Sequence, residues 1–156
     1  VTAICEAADI NRSTFYSHYS DQYDLLQQIQ QKVLQEINDY LADYRFTGSE
    51  AELFQMMNRI LEYIAAHAML CEVLLGDSGE NALQQAILKI VQKQIMKELQ
   101  GTRKLDADMI EYVLLFGVNG SIGMVQKWLQ TGMKKSASEM AEIVLTLTYR
   151  GMSAYL

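Results

Sequence analysis

Apolar residues recur at helical spacing along most of the chain. In the segment after Asp21 one face carries Ile29, Val33 and Ile37. In the segment after Ser49 one face carries Met57, Leu61 and Ile64. This spacing is typical of helices that bury one side. There is no proline, and only nine glycines occur among 156 residues, which argues against turn-rich β folds. The sequence therefore predicts an all-α protein whose long helices cover residues 21–44, 50–75, 84–99, 106–129 and 138–156.

The last two predicted helices are apolar on nearly all sides. A surface helix of a monomer could not hide such a stretch from water, so each helix needs burial on two faces. Gly117, Gly120 and Gly123 recur every three residues and permit the close approach of another backbone. A contact within the chain would explain these glycines as well. We expect core on one face and a subunit interface on the other, with residues 106–129 and 138–156 of two chains forming a four-helix bundle.

The first twenty residues predict two short helices joined by a tight turn. Thr2 is placed to cap the first helix, and Asn11 is a strong cap for the second, from Arg12 to about Tyr19. Asp9 occupies the turn, where a left-handed residue is usually needed and aspartate is tolerated. Ile10 is expected to fill the corner between the helices. The buried side of the first helix is predicted to hold Ile4, Cys5 and Ala8. The pattern is that of a helix-turn-helix.

The second short helix is expected to turn a polar face outward. Phe15 and Tyr19 are four residues apart and face inward. The side chains left outward are Arg12, Ser13, Thr14, Tyr16, Ser17 and His18. Such groups can donate to phosphate oxygens and to base edges in a major groove. An ordinary helical hairpin with a polar face remains the alternative.

The stretch Ser-Thr-Phe-Tyr-Ser-His-Tyr at residues 13–19, followed by Asp24-Leu25-Leu26, resembles the DNA-binding head of the tetracycline-repressor (TetR) family of bacterial transcription regulators. The run from Phe116 through Trp128 to Ser-Glu-Met-Ala-Glu is similar to one C-terminal class of that family. The resemblance implies an all-helical homodimer that reads two half-sites of a palindromic DNA operator and binds a small effector. It divides the chain into a head with its connecting helix, residues 1–44, and an effector-binding and dimerisation domain, residues 45–156; the connecting helix starts at about residue 21.

The resemblance also implies the DNA-contacting residues. They are Thr2, Arg12, Ser13, Thr14, Tyr16, His18 and Gln22. The chain departs from the family where Asp9 replaces a usual glycine and Gln22 a usual lysine. The family also has a helix of about twenty residues ahead of the position of Val1, and a small head needs it for burial. We therefore expect the native polypeptide to extend beyond Val1 and to include basic residues there.

The charge of the head weakens this interpretation. The whole chain carries a formal net charge of −6, and Arg12 is the one basic residue among residues 1–24, against four acidic ones. Phosphate neutralisation supplies most nonspecific affinity for DNA, so an acidic head binds poorly. The leading hypothesis is a DNA-binding repressor that a small effector releases from DNA. The alternative is a helical dimerisation or ligand-sensing module without a working DNA-binding head.

An effector site is expected among the helices over residues 50–75, 84–99 and 106–129. Its apolar walls would be Phe54, Met57, Met69, Tyr112 and Phe116, with His67 and Asn119 as polar contacts. Methionines and aromatic rings form adaptable pockets, so the ligand would be an apolar or aromatic molecule. The same residues would suit a packed core, with His67 as a structural histidine and Asn119 bonded between helices.

Other chemistry finds little support in the sequence. Cys5 and Cys71 lie far apart in apolar stretches, which favours free buried thiols in a reducing cytoplasm. The two histidines, His18 and His67, form no zinc motif, and no nucleophile and base can be paired, so no metal, cofactor or enzymatic activity is predicted. The most apolar run, residues 112–125, is interrupted by Asn119 and glycines and is expected to be too short for a membrane span. We expect a soluble protein.

Overall fold

The computed structural model describes residues 1–42, 49–75, 82–99 and 107–152. Within these ranges the regular structure consists of helices, with no strand, which confirms the all-α prediction. In chain order the helices are α1 Thr2–Ala7, α2 Arg12–His18, α3 Gln22–Ala42, α4 Glu50–Ala66, α5 Ala68–Leu75, α6 Ala82–Leu99, α7 Ala107–Gln130 and α8 Ala137–Met152. The starts of the last three helices lie within two residues of the predicted ones.

The chain divides into two compact units, Val1–Gln35 and Glu36–Leu156. The division falls inside α3, so this helix contributes to both units. The boundary predicted at residue 44 lies outside the described residues. The assignment of residues 1–44 to a head and of 45–156 to an effector and dimerisation domain therefore stays a prediction.

The first unit contains the expected pair of short helices. The turn between them takes the left-handed conformation at Asp9, with φ of 51°, and Asn11 caps α2. Three details of the prediction were wrong. Thr2 is the first residue of α1 and caps nothing, because Val1 already occupies the capping position. Ala8 is exposed at the end of α1. Ile10 is 39% exposed, because its amide closes the turn onto the Cys5 carbonyl and leaves the side chain at the surface.

The segment predicted as one helix over residues 50–75 is two helices that meet at His67. This residue has φ of −118° and ψ of 35°, which is not helical. The Nδ1–H of His67 donates to the carbonyl of Tyr63 at 2.9 Å, and the two rings stack with centroids 4.4 Å apart. The Tyr63 carbonyl also accepts from the backbone amide of His67 at 3.1 Å, so it is shared between the amide and the ring where the helix axis changes.

In the second unit, α4 packs mainly against α8, and α7 packs against α5, α6 and α8. Leu61 of α4 and Val144 of α8 are completely buried. Glu50, at the start of α4, lies 3.7 Å from Arg150 near the end of α8, so the two helices run antiparallel. Because both of these side chains are exposed, their ion pair contributes little to stability. The buried apolar residues hold the unit together.

The exposed glycines of α7 bear on the choice between contacts within and between chains. A Cβ added at Gly120 or Gly123 would meet no atom of the described residues within 4 Å. The close approach that these glycines permit is therefore not used by a neighbouring helix in the described part of this chain. Gly117, by contrast, is buried within the chain, and the interface between subunits stays a prediction.

One helix in the described part of the chain is long and apolar enough to cross a membrane by length and composition alone. It covers Asp108–Gln130, within α7, and is longer than the apolar run considered from the sequence. A core helix of a soluble protein passes the same test, so the observation is weak evidence for a membrane span.

Candidate nucleic-acid interface

The orientation of α2 is fixed by its cap and by one buried ring. The Asn11 side chain accepts a hydrogen bond from the Thr14 amide at 2.8 Å. Phe15 is 1% exposed, and its ring lies 5.3 Å from the ring of Tyr19, which is partly buried. The six side chains expected to face outward are all exposed: Arg12, Ser13, Thr14, Tyr16, Ser17 and His18. Five of the seven predicted DNA-contacting residues are thus exposed on one short helix, and their contact with DNA stays a prediction.

The serine and threonine hydroxyls of α2 give their protons to the protein. Ser13 Oγ donates to Asn11 Oδ1 at 2.6 Å, and Thr14 Oγ1 donates to the same oxygen at 2.9 Å. Ser17 Oγ donates to the Thr14 carbonyl at 2.7 Å. Their outward lone pairs are left as acceptors, which match the amino groups of adenine or cytosine better than phosphate oxygens.

The outward donors are therefore the guanidinium of Arg12, the phenol of Tyr16 and the imidazole of His18. The Arg12 guanidinium carbon lies 5.9 Å from the centre of the Tyr16 ring. That ring in turn meets the Phe15 ring edge to face, with centroids 5.4 Å apart. Contact on both sides restricts the Tyr16 ring while its side chain remains 49% exposed. Such an arrangement can present a hydroxyl to a base edge with little loss of side-chain entropy.

The remaining two predicted contacts, Thr2 and Gln22, are exposed first residues of α1 and α3. The start of α3 is already occupied by carboxylates. Asp21 accepts from the amides of Tyr23 at 2.8 Å and Asp24 at 2.9 Å. Phosphate binds at the start of a helix through backbone amides that are free, and here these amides are bonded to Asp21. A phosphate at Gln22 would therefore meet an acidic cap.

Asp24 adds a second negative charge at the same place. Its carboxylate accepts from the Ser20 amide at 2.8 Å and from the Gln28 side chain at 3.0 Å. These bonds lower the pKa of Asp24, mainly through the Ser20 amide, and keep the group ionised at neutral pH. The local structure thus reinforces the acidic balance that the sequence indicated.

The six residues predicted for effector binding occupy different environments. Phe54 and Met57 are partly buried on α4, and His67 is exposed at the break between α4 and α5. Three residues are exposed on α7: Tyr112, Phe116 and Asn119, of which the two aromatic side chains are 69% and 74% exposed. Met69, also considered, is exposed on α5. Their role in binding an effector stays a prediction.

Asn58 on α4 is a further candidate that the sequence did not indicate. Its Oδ1 is buried and has no hydrogen-bond partner among the described residues, while its Nδ2 donates to Glu62 at 2.9 Å. A buried acceptor without a donor is rare in native proteins and commonly marks a water or ligand position. Asn58 follows Met57 directly and Phe54 by one helical turn. Nothing in the sequence pattern distinguishes this amide from an exposed one.

The chain was compared with known protein families, curated proteins and solved structures. The family model for the C-terminal region of TetR-type transcriptional regulators matches residues 51–150, from the first turn of α4 almost to the end of α8. No curated protein and no solved structure matches the chain significantly. The family's members are generally non-enzymatic regulators that bind DNA and dimerise. The chain belongs to the TetR family of transcriptional regulators.

Proposed function

We propose that this regulator is a cytoplasmic, homodimeric repressor that binds a palindromic operator through the exposed face of α2. The observation that carries the proposal is the set of donors and acceptors held outward on α2 by the Asn11 cap and the buried Phe15. Two heads related by a two-fold axis would read two half-sites, as other dimeric helix-turn-helix proteins do. The pairing of the subunits would use α7 and α8, whose exposed apolar side chains include Leu147 and Phe116.

The acidic balance of the head determines what kind of binding we expect. Arg12 is the one cation among residues 1–24, so these residues would neutralise few phosphates and would add little to the dependence of affinity on salt. Each neutralised phosphate contributes about −0.9 to the slope of log K against log salt. Specificity would then come mainly from base edges read by Thr14, Tyr16 and His18.

Recognition-helix variants test this proposal on the full-length protein. The duplex is one enriched from random sequences, and fluorescence anisotropy measures the affinity. Tyr16→Phe removes only the hydroxyl, and we expect it to weaken operator binding by about 1–3 kcal/mol. Arg12→Ala should weaken all duplexes alike and reduce the salt slope by about 0.9. Tyr40→Phe, on the part of α3 that belongs to the second unit, is the matched control and should leave affinity unchanged. Unchanged operator affinity in both head variants would reject the assignment of α2.

A second candidate function is a helical dimerisation or ligand-sensing module without a working DNA-binding head. The carboxylates of Asp21 and Asp24 at the start of α3 favour it, because they occupy the amides that would hold a phosphate. The anisotropy experiment separates the two functions. A folded dimer that binds no duplex above nonspecific affinity would support the module.

We further propose that binding of an apolar or aromatic effector releases the protein from its operator. Phe54, Met57 and Asn58 on α4 are the residues that support it, with His67 as a further polar group. The buried Oδ1 of Asn58 would accept a hydrogen bond from the ligand, so a ligand with one donor on an apolar body fits best. The ligand must bind better to the dimer that does not bind DNA, and a coupling of about 1–3 kcal/mol lowers DNA affinity 5- to 150-fold.

Asn58→Leu tests the effector site. The variant removes a buried acceptor that lacks a donor and replaces it with an apolar group of similar size. We expect the ligand-free protein to become more stable by about 1 kcal/mol, because the desolvation penalty disappears. The thermal shift caused by ligands with a donor should be lost. Asn38→Leu, on α3, is the control and should leave the thermal shift caused by these ligands unchanged. Lower stability of the ligand-free Asn58→Leu variant, with ligand shifts retained, would contradict the site.

A further inference from the structure

One side-chain oxygen, Oδ1 of Asn11, accepts three hydrogen bonds from α2. They come from the Thr14 backbone amide at 2.8 Å, from Ser13 Oγ at 2.6 Å and from Thr14 Oγ1 at 2.9 Å. A backbone amide can only donate, so the Asn11 atom that it meets is the oxygen and not the nitrogen. Because that oxygen carries no proton, both hydroxyls must be the donors of their bonds.

The third hydroxyl of α2 is held in the same way. Ser17 Oγ donates to the Thr14 backbone carbonyl at 2.7 Å, and a carbonyl oxygen can only accept. A hydroxyl has one proton and two acceptor lone pairs. With their protons committed to the protein, the hydroxyls of Ser13, Thr14 and Ser17 can only accept a hydrogen bond from a molecule outside it.

Two of these acceptors lie at the centre of the exposed face of α2. Each residue turns by about 100° around the axis of a helix. Ser13 and Ser17 therefore both lie about 160° from Phe15, whose ring is 1% exposed. Arg12 and Tyr16, which carry donors, lie to one side of this centre. A base that approaches α2 opposite its buried ring would meet acceptors first.

Bases differ in what they offer such acceptors in the major groove. Adenine presents the amino group at N6 and cytosine the amino group at N4, whereas guanine and thymine present oxygen acceptors. Each base pair thus contains one base with an amino group and one with a keto group at the centre of its groove edge. A surface that can only accept distinguishes which strand carries the amino base.

We propose that Asn11 sets the base preference of the operator as a positioning residue. By taking the protons of Ser13 and Thr14, it makes α2 select adenine or cytosine over guanine or thymine on the strand that these hydroxyls face. The inference rests on the proposed binding of an operator by α2 and adds the chemical class of the bases that are read. A hydroxyl that turned to donate to a keto oxygen would give up its bond to Asn11.

Base substitutions in the enriched operator test this preference with the full-length protein. The positions read by the hydroxyls are those whose base preference changes in Ser13→Ala or Thr14→Val. At these positions, replacing adenine or cytosine by guanine or thymine should weaken binding about 3- to 10-fold, the effect of one lost hydrogen bond. Exchange between adenine and cytosine should cost less.

Base analogues separate the amino group from the rest of the base edge. In an operator with adenine at a read position, purine lacks the amino group, and 7-deazaadenine lacks the N7 acceptor but keeps the amino group. We expect purine to weaken binding about 3- to 10-fold and 7-deazaadenine, the matched control, to leave affinity unchanged. The opposite pattern would show that the contact reads N7 and would overturn the inference.

Two variants of Asn11 separate positioning from folding. Asn11→Asp keeps an oxygen that can accept all three bonds, so the base preference should stay while the added charge weakens binding to every duplex alike. Asn11→Ser also caps a helix well. Its hydroxyl oxygen has two lone pairs, and the Thr14 amide would occupy one, which leaves one for two hydroxyls. The preference for amino over keto bases should then fall at least about 3-fold.

The outcomes distinguish this inference from the proposed function. An amino preference in the wild type and in Asn11→Asp that falls in Asn11→Ser supports the role of Asn11. A purely structural role would change affinity for all duplexes alike and leave the base preference of Asn11→Ser intact. That result, or an operator with no amino preference at any position read by Ser13 or Thr14, would overturn the inference and leave operator binding standing. A full-length protein that binds no duplex specifically would overturn both.

Discussion

Replacing Phe15 with alanine should abolish operator binding while the second unit stays folded and dimeric. Phe15 is 1% exposed and, with Cys5, forms the buried core shared by α1 and α2. Removing a buried phenylalanine side chain costs about 3–5 kcal/mol. Residues Val1–Gln35 belong to a small unit, and small domains have little stability to lose because they bury a small fraction of their surface. The outward face of α2 would then lose the support that orients Tyr16.

Hydrogen exchange and sedimentation on the full-length protein measure this effect. The amides of α1 and α2 should lose protection in Phe15→Ala, whereas those of α4 and α8 should keep it. Phe15→Leu keeps most of the volume and should cost less than about 1.5 kcal/mol, with operator binding largely retained. Protection lost equally in both units would show that they unfold as one, contrary to this account.

Trp128→Ala should produce the largest loss of stability in the second unit. The indole is 5% exposed and donates from Nε1 to the Lys135 carbonyl at 2.9 Å. Its own carbonyl accepts from the amide of Met133, where the chain turns with positive φ at Gly132 and Met133. The residue thus links the end of α7 to the segment that leads into α8. Loss of a buried tryptophan costs about 3–5 kcal/mol.

Urea denaturation of the full-length protein, followed by circular dichroism, tests this expectation. Trp128→Phe retains most of the apolar bulk and removes the hydrogen bond, so it should cost about 0.5–1.5 kcal/mol for the bond in addition to a small packing loss. We also expect Trp128→Ala to weaken dimerisation, because α7 and α8 would no longer be held in one orientation. A loss below 1 kcal/mol in Trp128→Ala would contradict the structural role given to the indole.

The elements that the sequence predicted correctly are those whose signals are local. Asp9 and Asn11 are recognisable as turn and cap residues from the chemistry of their side chains, and the outward face of α2 follows from helical spacing. The break at His67 was missed because no proline or glycine marks it. The break is accompanied by a bond from the ring to the Tyr63 carbonyl, which spacing does not reveal.

The effector site in the second unit was harder to predict, because the exposure of its residues depends on packing between helices that are distant in sequence. Tyr112 and Phe116 have the composition of pocket walls, yet they lie on the exposed side of α7. Asn58 carries no distinguishing pattern, and only the packing of α4 buries its Oδ1. Periodicity predicts that a helix has an apolar face, but it does not tell whether that face meets a ligand, the core or a second chain.

Selection of DNA from a random-sequence duplex pool by the full-length protein tests the central claim most directly. The account predicts enrichment of a palindrome with two half-sites about one helical turn, 10–10.5 bp, or a multiple of it apart. Enrichment should be lost with Tyr16→Ala and kept with Tyr40→Phe. A folded, dimeric protein that enriches no sequence would contradict the account.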